Sequence, residues 1–233
     1  MWTRGLKIKK YNAKGIKNQN DCLVIEKDLT LILNKKTITT FKTIPSKEKA
    51  LAIGHLVSNQ LITSPTNITQ LTQTHDSIEV VATTIANPPK PEAIPKSDLK
   101  VTRINIFHLT AYLQENAILF KDTAITESAA IANTKAIIYF AEDLNRLNAI
   151  NKAIGLALEK QEDFSDKILL TSGKVDQQVV NKALTLGIPT IVSRTGPTDK
   201  AFDLATEKNI TILGFARGTR FNLYTTPKRI SLG

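Results

Sequence analysis

The last third of the chain, residues 166 to 225, alternates short apolar runs with stretches of helical period. Each run is about as long as a strand that is buried on both faces. Helical stretches between the runs predict parallel strands in a β-α-β-α-β arrangement. The three runs are residues 167–170, 189–192 and 210–213.

A turn of small, hydroxyl or basic residues follows each run, at residues 171–174, 193–198 and 214–220. Parallel strands place these turns at one edge of the sheet, where open α/β sheets bind ligands and helix N-termini attract anions. Each turn alone also fits an ordinary capped turn, but three at one edge favour a pocket for a phosphate-bearing ligand. The chain contains neither a P-loop nor a G-x-G-x-x-G motif. The candidate residues are Ser172, Ser193, Arg194, Thr198, Arg217 and Arg220.

The first half of the chain predicts a hairpin and then a helix. Apolar stretches at 23–33 and 36–43 flank Asn34-Lys35, which is a suitable tight turn. Ser46 is the predicted cap of the helix that follows. Further predicted elements are strands at 77–84 and 135–140, helices at 99–113 and after Asp143, and a short buried helix beginning within 126–132.

Four prolines, Pro88, Pro89, Pro91 and Pro95, fall within residues 85–98. This density excludes a helix or a central strand and predicts an extended loop. A loop of this length within a compact domain is usually functional or disordered.

Composition adds limits to this picture. With 233 residues, 42% hydrophobic and 22% charged, the chain can form one domain with a small appendage. No apolar stretch is long enough to span a bilayer, and no signal peptide is recognisable, so we predict a cytoplasmic protein. The single cysteine, Cys22, excludes an internal disulfide, and together with three scattered histidines it cannot supply a usual zinc ligand set.

The formal net charge of +10 is concentrated at the start of the chain, where six basic residues precede Asp21. A solvated, flexible arm over residues 1–20 is the favoured interpretation. Binding of nucleic acid by this arm is the alternative, although no aromatic residues interleave with the charges to stack on bases.

Several strings in the chain resemble the formate dehydrogenase accessory (FdhD) family over about residues 21 to 230. They are Thr171-Ser172-Gly173-Lys174, Gly187-Ile188-Pro189, Gly214-Phe215-Ala216-Arg217-Gly218 and Tyr224-Thr225. The resemblance implies a cytidine-deaminase-like α/β fold, with a mixed sheet, helices on both faces and an N-terminal hairpin and helix subregion. It also implies a homodimer that binds the molybdenum bis(guanine dinucleotide) cofactor, or its tungsten analogue, and relays sulfur from a cysteine desulfurase for formate dehydrogenase. By resemblance, the cofactor-binding segment is Phe215, Ala216, Arg217, Gly218, Thr219 and Arg220.

The chain departs from the family pattern at the residues that carry sulfur. The family's Cys-Gly-x-Cys-Gly loop falls on residues 85–98, which contain no cysteine. Glu127 and Leu147 stand where the family has histidines. Cys22 lies elsewhere and is interpreted as a small core hydrophobe, so the sulfur-carrying step is predicted to be absent.

The sequence thus predicts a basic arm (1–20), an N-terminal subregion (21–98) and an α/β core (99–233). The predicted function is cofactor binding in formate dehydrogenase maturation. The alternatives are a sulfurtransferase that uses Cys22 and a non-catalytic partner of a cysteine-bearing paralogue.

Overall fold

The computed structural model describes residues 2–95 and 99–231. Its first element is a separate hairpin, in which β1 (Thr3–Asn12) and β2 (Gly15–Val24) pair antiparallel along their whole length. The segment predicted as a flexible arm therefore has regular secondary structure. Most of its side chains face solvent, because within the described part of the chain β1 and β2 pair only with each other.

A four-stranded sheet and one helix follow the hairpin. These elements are β3 (Lys27–Leu33), β4 (Lys36–Thr43), α1 (Glu48–Ser58), β5 (Ile68–Gln73) and β6 (Ser77–Ala82), with the strands in the order β4-β3-β6-β5. The predicted hairpin between β3 and β4 is confirmed, since Asn34 and Lys35 adopt left-handed φ values of 49° and 66°. The predicted cap is wrong. The helix begins one residue later than Ser46 requires, so Lys47, whose side chain cannot accept a hydrogen bond, occupies the N-cap position and no side chain caps α1. The first-turn Glu48 turns inward and pairs with Lys27 at 2.7 Å.

The rest of the described chain forms a six-stranded mixed sheet with helices on both faces, which confirms the predicted α/β fold class. A parallel pair, β7 with β14, lies outside this sheet. The elements are β7 (Val101–Thr102), α2 (Arg103–Glu115), α3 (Ile118–Thr123), β8 (Glu127–Ala132), β9 (Ile137–Asp143), α4 (Arg146–Glu159), β10 (Ile168–Thr171), α5 (Gln177–Leu186), β11 (Thr190–Ser193), α6 (Asp199–Glu207), β12 (Thr211–Arg217), β13 (Arg220–Leu223) and β14 (Ile230–Ser231).

The sheet has the order β13-β12-β11-β10-β8-β9. Strands β10, β11 and β12 are parallel to one another, as predicted from the three apolar runs. Helix α2 packs on one face, where Leu109 meets Leu170 and Val192 in a buried cluster. Helices α4, α5 and α6 cover the other face, on which Leu169 and Ile191 are fully buried.

The prediction of a helix within residues 126–132 is wrong, because this segment is strand β8. It pairs antiparallel with both β10 and β9, so Ala129, Ala130 and Ile131 are buried on both faces of the sheet. A short apolar run of this kind has no periodicity that separates a buried strand from a buried helix. The segment is a strand because it pairs with β9 and β10, and its own residues do not specify this pairing.

Helices α1 and α4 cross at two glycines. A Cβ atom on Gly155 would lie 1.9 Å from the Ala50 carbonyl oxygen, and one on Gly54 would lie 1.9 Å from the Asn151 carbonyl oxygen. Backbone therefore touches backbone at this crossing, and a methyl group has no room. The contact joins the N-terminal sheet and α1 to the central sheet.

A buried ion pair lies beside this crossing. Lys152 Nζ is 2.6 Å from Asp143 Oδ2, and both side chains are fully buried. Thr43 donates its hydroxyl to the same carboxylate at 2.5 Å, and Lys152 also donates to the Ile44 carbonyl oxygen at 3.0 Å. Burial lowers the pKa of Lys152, and the attraction of Asp143 opposes this shift. The network ties the end of β4 to the end of β9 and to the middle of α4.

Lys182 in α5 is also buried, and it donates to Ser58 Oγ at 2.9 Å and to Asn59 Oδ1 at 3.2 Å. Burial lowers its pKa from 10.5 to about 8. Between these two values the unfolded chain binds a proton that the folded chain does not, so the free energy of unfolding rises with pH.

We expect Lys182→Met to increase the free energy of unfolding at pH 7 by roughly 2 kcal/mol, because it removes a charge that burial disfavours. The advantage of the variant should shrink as the pH rises from about 8 towards 10.5. Urea titrations of both proteins at pH 7 and pH 10 measure the difference. A pH-independent difference would show that Lys182 is not the titrating group.

The proline-rich segment runs as an extended loop between fixed ends. The amide of Ile85 donates to the Leu61 carbonyl oxygen at 3.2 Å, and that of Ile94 donates to the Lys208 carbonyl oxygen at 2.9 Å. The last part of the predicted loop and the predicted boundary after residue 98 lie at residues 96–98, outside the described residues. Within the described ranges, no helix combines the length and apolar character that crossing a membrane requires.

Candidate functional site

A cavity of about 470 Å³ lies at the carboxyl ends of the parallel strands. Its volume is in the range of sites for single small molecules. One wall comes from α3 and the segment after it, the opposite wall comes from the ends of β11 and β12, and β8 and β10 meet at its base. The lining residues are Gln114, Ala117, Phe120, Lys121, Ala124, Ile125, Thr126, Glu127, Ser128, Ser172, Arg194 and Arg217.

The three strand-end turns contact one another at this edge. The Arg194 amide donates to the Thr171 carbonyl oxygen at 3.2 Å, and the Phe215 amide donates to the Thr195 carbonyl oxygen at 3.0 Å. Arg217 Nε donates to the Arg194 carbonyl oxygen at 2.9 Å. The parallel strand order thus brings together three turns that are about twenty residues apart in the sequence.

Two arginines converge on the cavity. Burial, and then the like charge of Arg217, lower the pKa of Arg194, while Glu127 acts in the opposite direction. With its amide oxygen facing the guanidinium, Gln114 accepts from Arg194 at 2.7 and 3.2 Å, but Arg194 Nε is buried without a hydrogen-bond partner. An anion placed between the arginines would reduce their mutual repulsion and supply acceptors.

Glu127 enters the cavity because β8 runs antiparallel to β10. The first residue of β8 therefore lies beside the last residues of β10. The Ser172 hydroxyl donates to the Glu127 carboxylate and accepts from the Ser128 amide at 2.9 Å. Next to them, Arg146 pairs with Asp176 at 2.5 Å.

Gly173 provides the space for Arg146, since a Cβ atom there would lie 2.8 Å from Arg146 Cδ. The absence of a side chain at Gly173 therefore lets Arg146 pack against the end of β10. Any larger residue would displace the arginine from beside Glu127 and Ser172.

Helix α3 and the segment after it supply an apolar wall, formed by Phe120, Ala124 and Ile125. Glu142 holds this helix in place by accepting hydrogen bonds from the amides of Leu119 (3.1 Å) and Phe120 (3.0 Å). The cavity is therefore apolar on one side and cationic on the other.

Of the nine residues predicted to bind the cofactor, Ser172 and Arg217 line the cavity. Ser193 is buried and donates to the Gly173 carbonyl oxygen at 2.7 Å, and Thr198 caps α6 by accepting from the Ala201 amide at 3.3 Å. Ala216 is buried in the sheet. Ser193 and Thr198 thus make the contacts of capped turns, and for them the pocket role stays a prediction.

The predicted turn at 214–220 is largely strand. β12 continues to Arg217 through an irregularity that follows Gly214, and Gly218 and Thr219 form an exposed turn before Arg220 begins β13. Phe215 has a left-handed φ of 51° and remains 44% exposed. Its ring lies over Gly196, where a Cβ atom would approach it to 3.1 Å.

A larger cavity, of about 670 Å³, lies at the opposite edge of the sheet. The ends of α1, α4 and α5 and part of the proline-rich segment enclose it. Its described lining includes Glu159 and Glu162 but neither lysine nor arginine, so its charge does not suit an anion. The smaller cavity is therefore the candidate site, and in the described ranges no group of three or more His, Cys, Asp or Glu side chains could hold a metal ion.

Cys22 does not lie in the core, contrary to the prediction. It is half-buried on β2, where its thiol contacts the Asp122 carbonyl oxygen at 3.8 Å. Asp122 belongs to α3, which forms the apolar wall, but Cys22 is not among the residues that line the cavity.

Fold and site together define an α/β protein with a small-molecule cavity, rich in arginine, at the carboxyl edge of a mixed sheet. The FdhD/NarQ family model matches residues 24–92 and 79–231. The chain belongs to this family, as the resemblance predicted.

Curated relatives and a solved structure agree with this membership. The sulfur carrier protein FdhD of Sulfolobus acidocaldarius is 30% identical over 253 residues and all of both chains, and that of Bacillus pumilus is 30% identical over 251 residues and 96% of each. A crystal structure of a proposed formate dehydrogenase accessory protein from Desulfotalea psychrophila superposes with a TM-score of 0.89 at 23% identity. It covers 99% of this chain and 100% of that one.

Proposed function

We propose that this chain is an accessory protein of formate dehydrogenase maturation and binds the molybdenum bis(guanine dinucleotide) cofactor, or its tungsten analogue, in the arginine-lined cavity. Its site of action would be the cytoplasm, and its partner the formate dehydrogenase apoenzyme. The names of the relatives support a role in formate dehydrogenase maturation, and the arginines of the cavity support binding of an anionic cofactor.

The convergence of Arg194 and Arg217 carries the proposal. The two guanidinium groups repel each other, and the Nε of Arg194 is buried without a hydrogen-bond partner. Together they form a site for an anion that bridges them. A diphosphate offers several acceptor oxygens at the spacing that paired guanidinium groups can grip.

The size of the cavity indicates how the cofactor would fit. About 470 Å³ suits one nucleotide portion of the dinucleotide cofactor. Arg194 and Arg217 would hold its diphosphate, and the wall of Phe120 and Ile125 would cover its planar base. When bound, the cofactor supplies the metal centre that formate dehydrogenase needs; the residues of this chain bind and orient its anionic part.

The proposal includes no sulfur relay at this site. The chain's only thiol, Cys22, packs against the backbone of α3 and is not a lining residue of the cavity. Incubation with a cysteine desulfurase and ³⁵S-labelled cysteine checks this part, with Cys22→Ser as the control. Label on the wild type that is absent from Cys22→Ser would establish Cys22 as a sulfur carrier and restore the alternative function.

We expect Arg217→Ala to weaken binding of GDP, used as a probe for the nucleotide portion, by about tenfold to a hundredfold. The loss corresponds to one hydrogen bond to a charged group, which is worth about 1.5 to 3 kcal/mol. Isothermal titration calorimetry on the purified protein measures the change.

Arg220→Ala is the matched control, because Arg220 carries the same charge but lies exposed at the start of β13 and is not a lining residue of the cavity. It should bind GDP nearly as well as the wild type. An Arg220→Ala variant that loses as much affinity as Arg217→Ala would move the site from the cavity to the turn. Equal binding by all three proteins would remove the arginine pair from the proposal.

A further inference from the structure

The larger cavity, of about 670 Å³, lies where three helices end. Its lining includes Val57 in the last turn of α1, Glu159 at the end of α4 and Leu186 at the end of α5. The carboxyl end of a helix carries a negative partial charge, because its last carbonyl groups have no partner within the helix. Three such ends at one cavity create a potential that favours a cation.

This polarity is the reverse of that at the arginine-lined cavity. Arg146, the first residue of α4, pairs with Asp176, the N-cap of α5, beside that cavity. The same two helices end at the larger cavity on the opposite edge of the sheet. Their positive ends therefore favour an anion at one edge, and their negative ends favour a cation at the other.

Two carboxylates add full negative charges to the larger cavity. Glu159 and Glu162 line it, and each side chain is 27% exposed. Lys49 lies 3.5 Å from Glu159 and Lys167 lies 3.7 Å from Glu162, and neither lysine is a lining residue. Among the described residues, the one hydrogen bond to these carboxylates comes from the Tyr139 hydroxyl to Glu162 Oε1 at 2.9 Å. The other three oxygens can accept from an ammonium group, which has three donors.

The remaining lining is largely apolar. Val57, Ile62 and Phe164 are buried and form walls of the cavity. Pro89 of the proline-rich segment covers one side, where its carbonyl oxygen accepts from Gln60 Nε2 at 3.2 Å. The volume lies in the range of small-molecule sites. A ligand that fits this lining has a cationic head and a hydrocarbon body.

We infer that the larger cavity is a second ligand site, which binds a small organic primary amine with a hydrocarbon body. Its ammonium group lies between Glu159 and Glu162 and donates to their free oxygens. Its body packs on Phe164 and the aliphatic walls. The site goes beyond the proposed function, because neither Arg194 nor Arg217 takes part in it.

Isothermal titration calorimetry with three probes of similar shape tests the inference. They are 2-phenylethylamine, the neutral 2-phenylethanol and the anionic phenylacetate. We expect the amine to bind at least about tenfold more tightly than the alcohol, as hydrogen bonds to charged groups require, and phenylacetate not to bind. Absence of amine binding, equal binding of amine and alcohol, or tighter binding of phenylacetate would each overturn the inference.

Glu159→Gln/Glu162→Gln should weaken amine binding by about tenfold or more and leave the affinity for the alcohol little changed. The matched control is Glu26→Gln/Asp28→Asn, which removes two carboxylates that are exposed and do not line this cavity. It should bind the amine as the wild type does. A glutamate variant that retains full amine affinity would show that these carboxylates do not bind the ammonium group.

A third variant locates the bound amine. Thr185 lines the cavity from the last turn of α5, and Thr185→Trp places a large ring in the space that the hydrocarbon body needs. We expect this variant to lose amine binding, and circular dichroism shows whether it is folded. A folded Thr185→Trp protein that binds the amine as tightly as the wild type would place the amine elsewhere and overturn the inference.

Discussion

Gly155→Ala is expected to destabilise the protein by more than about 4 kcal/mol and to leave much of it unfolded or aggregated. The added methyl group would lie 1.9 Å from the Ala50 carbonyl oxygen and 2.5 Å from its carbonyl carbon, which are backbone atoms that no rotamer change can move. α1 and α4 would have to separate, and the packing along the whole crossing would be lost. Thermal and urea unfolding of the purified variant measure the effect.

Helix propensity alone would make Gly155→Ala stabilising, so a destabilised variant reports the clash and not the propensity. In an unconstrained helix interior, replacing glycine by alanine stabilises by about 1 kcal/mol. Gly5→Ala, in strand β1, is a control for adding a methyl group where there is room, because no atom beyond its chain neighbours lies within 4 Å of a Cβ atom built there. It should leave the unfolding midpoint nearly unchanged. A Gly155→Ala protein as stable as Gly5→Ala would show that the two helices do not touch through their backbones.

Removing the buried carboxylate by Asp143→Ala is expected to cost about 3 to 5 kcal/mol. The substitution leaves the Lys152 ammonium group in the core with one carbonyl oxygen as its remaining partner. It also removes the shorter hydrogen bond of the Thr43 hydroxyl and leaves that group the Ile44 carbonyl oxygen at 3.3 Å. Chemical denaturation at pH 7 gives the change in the free energy of unfolding.

Two further variants distinguish the cost of leaving a buried charge unpaired from the cost of losing an ion-pair contact. Asp28→Ala breaks the exposed Lys42–Asp28 pair, which has a similar separation of 2.9 Å, and should leave the unfolding midpoint nearly unchanged because solvent screens this pair. The double variant Asp143→Leu/Lys152→Met removes both charges and should be more stable than Asp143→Leu alone. A double variant that is less stable than the single one would show that Lys152 is not the source of the penalty.

The sequence predicts the parallel core well because its signal is local. Each buried strand is a continuous apolar run, each turn contains small or hydroxyl residues, and Asn34-Lys35 marks a tight hairpin turn. The strand within residues 126–132 could not be predicted in this way, because its formation depends on contacts with distant residues. Alanine-rich β8 is a strand because two distant strands flank it, and no feature of its own six residues contains that information.

The candidate site could be predicted only in part for the same reason. Ser172, Arg194 and Arg217 were found because they follow or end parallel strands, which share one edge. Glu127 reaches the cavity on an antiparallel strand that was predicted as a helix. Phe120 reaches it on α3, which was not predicted from the sequence. In the first strand of the hairpin only Leu6 and Ile8 suggest alternation, so its lysines are read as a solvated arm.

The interior contacts between the two halves of the chain join residues very far apart in sequence: Thr43 with Asp143, 100 residues apart, Lys152 with Ile44, 108 apart, and Lys182 with Ser58, 124 apart. Chain closure over such spans is slow compared with local folding. During synthesis the N-terminal sheet and α1 emerge first and must wait for α4 to cover them. The nascent chain therefore exposes apolar surface for a long interval, and its yield should depend on chaperones that shield that surface until synthesis is complete.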